Sequence, residues 1–247
     1  MIKIIEKSKT RSLVKLIMLV TALTLIMTGC MYPKPDTSSG VVVTKEAMRN
    51  IQGAVEQYLT TSGVLPIHNS ESSVAKYEKF RVDFGKLVDE KYIEYIPNSA
   101  FESGGNFYYL VLNEEEEPIV KAQSILLTQQ VIDLQSKVTD YISANGDIPA
   151  GMEAYDGIFY IDFDKLKIKK PSLKSVYTGN VSELLISNKG NVYIDYASDI
   201  MQLLQKDSSL VVSDQLDLRE LLIANSDYVP VKSTAYKLVN GDPVAFE

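Results

Sequence analysis

From Thr44 onward, apolar or small residues fall at Ala47, Ile51, Ala54, Val55, Tyr58 and Leu59, a spacing that turns them to one face of a helix. Thr44 supplies an N-cap, Gly63 a left-handed residue to end the helix, and Pro66 a block to continuation. The same pattern predicts a second helix from Thr128 through Val131, Leu134, Val138, Tyr141 and Ile142 to Gly146 and Pro149. A third, shorter helix is expected from about Ser198 through Ile200, Leu203 and Leu204, without the Gly-x-x-Pro exit. Between the helices the pattern changes to strand-like runs. Asn106 to Leu112 returns through Pro118 to Val120, Val181 to Ile186 through Val192 to Ile194, and Ala235 to Val239 through Val244 to Phe246. Each turn begins with Asn, at Asn113, Asn188 and Asn240, and Asn240-Gly241 is the strongest short hairpin signal in the chain.

These elements repeat. Ile51-Gln52, Val55, Tyr58, Gly63 and Pro66 recur as Leu134-Gln135, Val138, Tyr141, Gly146 and Pro149, at an offset of 83. Phe80, Val82-Asp83-Phe84, Lys86 and Leu87 recur as Phe159, Ile161-Asp162-Phe163, Lys165 and Leu166, at an offset of 79. A partial third copy places Leu216-Asp217-Leu218, Leu221 and Tyr228-Val229-Pro230 against Val82-Asp83-Phe84, Leu87 and Tyr95-Ile96-Pro97. Asp83, Asp162 and Asp217 each stand where they can cap a short helix, which explains their recurrence better than shared acid chemistry. The fold class expected is therefore α+β: two and a half repeats of helix, loop, short helix and antiparallel β-hairpin. The units are 44–120, 121–196 and a truncated 197–247, the last docked on the second because it is too small to close a core alone.

Ahead of the repeats the pattern differs. Lys3, Lys7, Lys9, Arg11 and Lys15 make a basic start, and Leu16 to Met27 is almost wholly apolar, the layout of a secretory signal over residues 1–29. That run ends in Thr28-Gly29-Cys30, with the only cysteine of 247 residues. Met27-Thr28-Gly29-Cys30 resembles the lipobox of bacterial lipoproteins, with Met27 where the family prefers Leu. The resemblance implies cleavage between Gly29 and Cys30. It also implies a diacylglyceryl group on the Cys30 sulfur, with or without an added N-acyl chain, and attachment to the extracytoplasmic face of the cell membrane. Two acyl chains hold a protein stably where one does not. Residues 30–43 are then a tether rich in Pro, Ser and Gly, ten residues of which reach at most about 35 Å. Gly29-Cys30-Met31-Tyr32-Pro33 and the overall layout are similar to the small uncharacterised lipoproteins of Bacillus-type bacteria. Tyr58, Gly63, Pro66, Leu87, Tyr92-Ile93 and Pro97 are also similar to the globular part of pilin-like proteins, although the N-terminal helix lacks the Glu-containing pilin processing pattern.

Charge changes the list of partners. Loss of residues 1–29 removes five basic residues and one acidic one, so the net charge of -7 becomes -11. Without a local basic patch, neither nucleic acid nor an anionic membrane surface is an expected partner of so acidic a body. The lipid bilayer is expected as one, through the anchor, together with another envelope protein or a wall polymer.

Chemistry is sparse in the sequence. His68, the lone histidine, lies in a polar loop with nothing in line to make it a catalytic base. Glu114 to Glu117 reads as a solvated hairpin tip rather than a calcium site, because adjacent carboxylates point different ways. No catalytic, metal-binding or cofactor motif stands out, which favours a non-enzymatic interaction or structural protein over a wall-modifying enzyme. The alternative, a solute-binding lipoprotein of a transporter, usually has two parallel-sheet lobes built by β-α-β alternation, whereas hairpins end each unit here. The candidate ligand face is tyrosine-rich: Tyr108, Tyr109 and Tyr193 within a set that includes Tyr92, Tyr95, Tyr155, Tyr160 and Tyr196.

Overall fold

The computed structural model describes residues 43–207, 210, 213 and 216–247; Gly29, Cys30 and the tether before Val43 lie outside them. Helix α1 (Lys45–Ser62) opens on Thr44, whose hydroxyl accepts the Ala47 N–H at 3.1 Å, and closes on Gly63, whose N–H donates to the Leu59 carbonyl. The chain returns through an antiparallel bridge between Ile67 and Val82 into a short helix α2 (Phe84–Asp89), capped by Asp83 on the Lys86 N–H. The hairpin β1 (Phe107–Leu112) and β2 (Ile119–Ser124) follows, and Arg81 bridges to Leu110.

The second copy begins with no linker. Helix α3 (Ile125–Asn145) is capped by Ser124 on the Leu127 N–H, one turn before the expected Thr128. Thr128 is spent inside the first turn, its hydroxyl donating to the Ser124 carbonyl at 2.9 Å. Strands β3 (Ala150–Tyr155), β4 (Ile158–Ile161), the small ribbon β5 (Leu173–Lys174) and β6 (Val181–Ser182), then β7 (Leu184–Ser187) and β8 (Val192–Ile194) complete it. The main sheet is antiparallel in the order β3-β4-β7-β8. The first copy has the same order with its first two members reduced to bridges: 67, then 81–82, then β1, then β2. The expected short helix after Asp162 is a run of turns instead, with the Asp162 carboxylate accepting the N–H groups of Asp164 and Lys165. Its exit comes three residues sooner. Ile168 donates to the Phe163 carbonyl as Tyr92 does to Leu87, and Lys167 and Lys91 both take positive φ, 53° and 65°.

The third copy comprises α4 (Ala197–Lys206), α5 (Arg219–Ala224) and the hairpin β9 (Ala235–Val239) and β10 (Asp242–Phe246). Its turn is the two residues Asn240 and Gly241, at φ 54° and 91°, the left-handed pair that matches strand twist. Asp217 stands one residue before the N-cap Leu218, which makes no side-chain bond, and its carboxylate accepts the N–H of Arg219, the first residue of α5, at 3.1 Å. It also holds the Arg219 guanidinium at 2.6 and 2.8 Å and accepts the Tyr236 N–H. In all three copies the longer helix packs on the returning strand: α1 on β2, α3 on β8, α4 on β10.

Strand β1 divides two cores. Tyr109 and Val111 face a first one with Ile51, Val55, Phe84 and Leu87, while Leu110 and Leu112 face a second with Val138, Ile158, Leu185, Ile194 and Leu222. Period-two alternation on a strand buried on both faces produces this partition. Full burial of each such Leu, Ile or Val contributes about 1.5–3 kcal/mol before entropy is counted. The third segment reaches further than docking on the second unit. Ala122 on β2 donates to the Asp227 carbonyl and accepts from Val229, and Ile194 on β8 donates to the Lys232 carbonyl, so residues 227–232 join the edges of both sheets.

Candidate functional site

A groove of about 1050 Å³ lies in the first copy, between the outward side of α1 and the chain from Tyr92 to Ser99. The helical wall follows from sequence spacing. Ala47, Asn50, Ala54, Gln57 and Thr61 recur every three or four residues, and their small or uncharged side chains leave the groove open. The opposite wall is set by the turn after α2. Lys91 reverses the chain at positive φ, and Tyr92 and Ile93 both donate to the Leu87 carbonyl, at 2.8 and 3.2 Å. Tyr92 then packs on Tyr58 with ring centroids 5.2 Å apart, whereas Tyr95 stands out, 70% exposed. Behind this wall Ser99 is buried and shares a 2.6 Å hydrogen bond with the Tyr109 hydroxyl. A Cβ on Gly105 would meet the Ser99 backbone at 2.2 Å, so the wall's position depends on glycine there.

Chemically the groove offers an exposed phenol and the carboxamides of Asn50, Gln57 and Asn98, which have no hydrogen-bond partner among the described residues. Each carboxamide carries both donor and acceptor capacity. Glu46, Arg49, Glu56 and Glu94 add charges of both signs at the margins. Such a surface suits an extended polar chain lying against a flat ring. Among the described residues no group of three His, Cys, Asp or Glu stands together to hold a metal.

The three tyrosines expected to form one face do not. Tyr108 and Tyr109 are neighbours in β1 and point to opposite cores; Tyr109 is 1% exposed. The Tyr108 ring lies 5.0 Å from Phe101 with the Arg81 guanidinium 4.4 Å from its centre. Tyr193 is in the second copy, its hydroxyl donating to Glu247 at 2.5 Å; burial, then that carboxylate, push its pKa up to about 12. Tyr196 is fully buried and donates to the Val231 carbonyl. His68 is exposed, 4.0 Å from Asp83, and Glu114 to Glu117 form the first hairpin's turn. What the sequence reading missed is the polar side of α1. Asn50 and Gln57, seven residues apart, were a legible signal once the core face had been assigned.

A second, smaller pocket of about 210 Å³ opens between the β5–β6 ribbon and the start of α4. It contains Asp199, 4% exposed, whose carboxylate accepts the hydroxyls of Ser175 at 2.7 Å and Thr178 at 2.8 Å. Burial raises the pKa of Asp199, and likewise that of Asp195, although the Ala197 N–H and the Tyr236 and Tyr155 hydroxyls hold the latter back. The hydroxyls and carboxylates account for one another here, as expected for a buried polar cluster.

Residues 44–124, about a third of the chain, match the YphF family N-terminal domain. The match fits the resemblance to a Bacillus-type protein, and it spans the first copy, including every residue that lines the groove. No curated protein and no solved structure matches the chain.

Proposed function

We propose that the protein is a membrane-tethered extracytoplasmic lipoprotein whose repeated body binds another envelope protein or a wall polymer, without enzymatic turnover. Cys30 is the lipidated residue, carrying a diacylglyceryl group with or without an added N-acyl chain, and Gly29 is the end of the signal peptide. The observation that carries the binding role is the open groove beside Tyr95, walled by carboxamides and lying wholly within the segment that matches a family domain. A solute-binding lipoprotein holds its ligand in a closed cleft between lobes. The open groove within one copy supports the interaction role instead.

Two measurements test this. Labelled palmitate should enter the wild-type protein, and Cys30→Ala should release it to the medium; unlabelled wild type would end the tether. A photo-crosslinker replacing Tyr95 should capture one partner reproducibly in intact cells, and one replacing Leu126 on α3, also exposed, should not. Equal capture at both positions would sink the groove, and turnover of wall fragments by the purified protein would sink the non-enzymatic role.

A further inference from the structure

Five lysines, Lys165, Lys167, Lys169, Lys170 and Lys174, fall within ten residues of a chain that is otherwise strongly acidic. All five are exposed, while Leu166, Ile168 and Leu173 between them pack against the second core. The apolar members peg the segment down and the five lysines are left exposed. Lys165 donates to the Ala150 carbonyl at 2.7 Å and Lys170 pairs with Glu183 at 2.5 Å. Lys167, Lys169 and Lys174 have no ion pair among the described residues. Asp162, just before the strip, has its carboxylate engaged by the N–H groups of Asp164 and Lys165.

The first copy serves as an internal control. Lys91 and Lys167 end the same turn with the same reversal, yet the residues that follow are Tyr92-Ile93-Glu94 in one copy and Ile168-Lys169-Lys170 in the other. The backbone accepts either set. The fold therefore does not require the concentration of positive charge, and the two copies present different surfaces at one position: a groove wall in the first and a basic strip in the second.

We infer that the strip from Lys165 to Lys174 docks on an anionic phospholipid surface and orients the body on its bilayer. This rests on the tethered reading above, because a tether of 13 residues from Cys30 to Val43 keeps the body within about 45 Å of the membrane. Net charge alone repels such a body from anionic lipid. Over a screening length of about 8–10 Å, however, only the facing patch is felt. Each lysine near an anionic surface strengthens binding about fivefold.

The test uses the lipidated protein on vesicles of phosphatidylcholine alone or mixed with phosphatidylglycerol, with lysine acylation read by mass spectrometry. Lys167, Lys169 and Lys174 should label more slowly on the mixed vesicles, by about fivefold or more. Lys91 and Lys137, both exposed, should label equally on the two. Protection should fade near 1 M salt, where the screening length is about 3 Å. The triple variant Lys167→Glu, Lys169→Glu, Lys174→Glu should melt as the parent does, and its body should then swing free, so that Lys165 and Lys170 lose their protection. Equal labelling of the strip on both vesicles overturns the proposal. So does protection by soluble poly(glycerol phosphate) but not by phosphatidylglycerol, which assigns the strip to a wall polymer. A chain that floats off both vesicle types fails earlier, at the tether, and is recognised by sedimentation before any lysine is read.

Discussion

Gln52 on α1 and Gln135 on α3, 83 residues apart, make the same pair of hydrogen bonds. The Gln52 carboxamide donates to the Pro118 carbonyl at 2.9 Å and accepts the Val120 N–H at 2.7 Å. Gln135 donates to the Gly190 carbonyl and accepts the Val192 N–H, both at 2.8 Å. Each side chain satisfies one carbonyl and one N–H two residues apart, as a neighbouring strand does. The repeat is thus preserved at the level of a specific contact as well as in its apolar spacing. The third copy departs from it: Gln202 on α4 bonds back to Ser198 in its own helix.

Replacing either glutamine by leucine should therefore cost stability by a similar amount. Each change leaves a part-buried N–H and carbonyl without a partner, a loss of about 1–3 kcal/mol. Urea unfolding of Gln52→Leu and Gln135→Leu measures it. A cost at one site and none at the other would show that the two contacts differ in use.

Much of this was legible beforehand. The caps at Thr44, Gly63 and Gly146, the Asn240-Gly241 turn and the first and third hairpins follow from local chemistry, because each residue there acts on its own backbone; the second hairpin starts at Leu184, since Val181–Ser182, expected in it, pairs with β5. Three features depended on tertiary context. Asp217 bonds one N–H at the start of α5, that of Arg219, while the rest of its carboxylate goes to the Arg219 guanidinium and the Tyr236 N–H. Thr128 lost its cap role to Ser124, since nothing in the pattern says that β2 runs straight into α3. Tyr109 could not be told from Tyr108 as core or surface, because both faces of β1 are buried and alternation then carries no sign. The groove was hidden for a related reason: its wall depends on Lys91 and Gly105, whose backbone roles leave no periodic trace.

Gly105→Ala should disturb the groove more than its size suggests. The added methyl meets backbone atoms of Asn98 and Ser99 at 2.2 to 2.5 Å, so the Asn98–Ser99 wall must move. Overpacking of this kind costs about 1–3 kcal/mol. Gly53→Ala, in open space on α1, should be neutral or slightly stabilising, since alanine favours the helix. Thermal melts of the two variants compare them directly; a Gly105→Ala protein as stable as its parent would place the wall elsewhere.

A chain ended at Tyr196 should lose stability in both remaining copies. Removal of residues 197–247 takes Ile200, Leu218, Leu222, Val229 and Tyr236 out of the second core and strips Ala122 and Ile194 of their partners at the two sheet edges. It also removes Glu220 from Lys76 and Tyr77, and Lys232 from Glu78. Amide exchange should accelerate at Ala122 as well as at Ile194. Acceleration confined to Ile194 would show that the third segment supports the second copy alone.

The C-terminal residue gives the fold an acid-sensitive latch. Partial burial works against ionisation of Glu247, but hydrogen bonds from Tyr193, Lys189, Ser187 and Asn191 outweigh it and hold the pKa near about 2, against an ordinary 4.5. Lys189 reaches the carboxylate at 2.9 Å and Tyr193 at 2.5 Å. A depressed pKa means that the folded state favours the charged form. Its contribution is therefore complete above about pH 4.5 and is lost as pH falls from there toward 2. Glu247→Gln should lower the melting temperature near neutral pH, and the gap to the parent should close across that acid window. Tyr193→Phe removes one of the donors, so the folded carboxyl should titrate at a higher pH, and the contribution should be smaller and its loss complete at a higher pH. A gap between Glu247→Gln and the parent that stays constant from neutral pH down to about 2 would mean that the carboxylate's charge does not hold the C-terminus to β8.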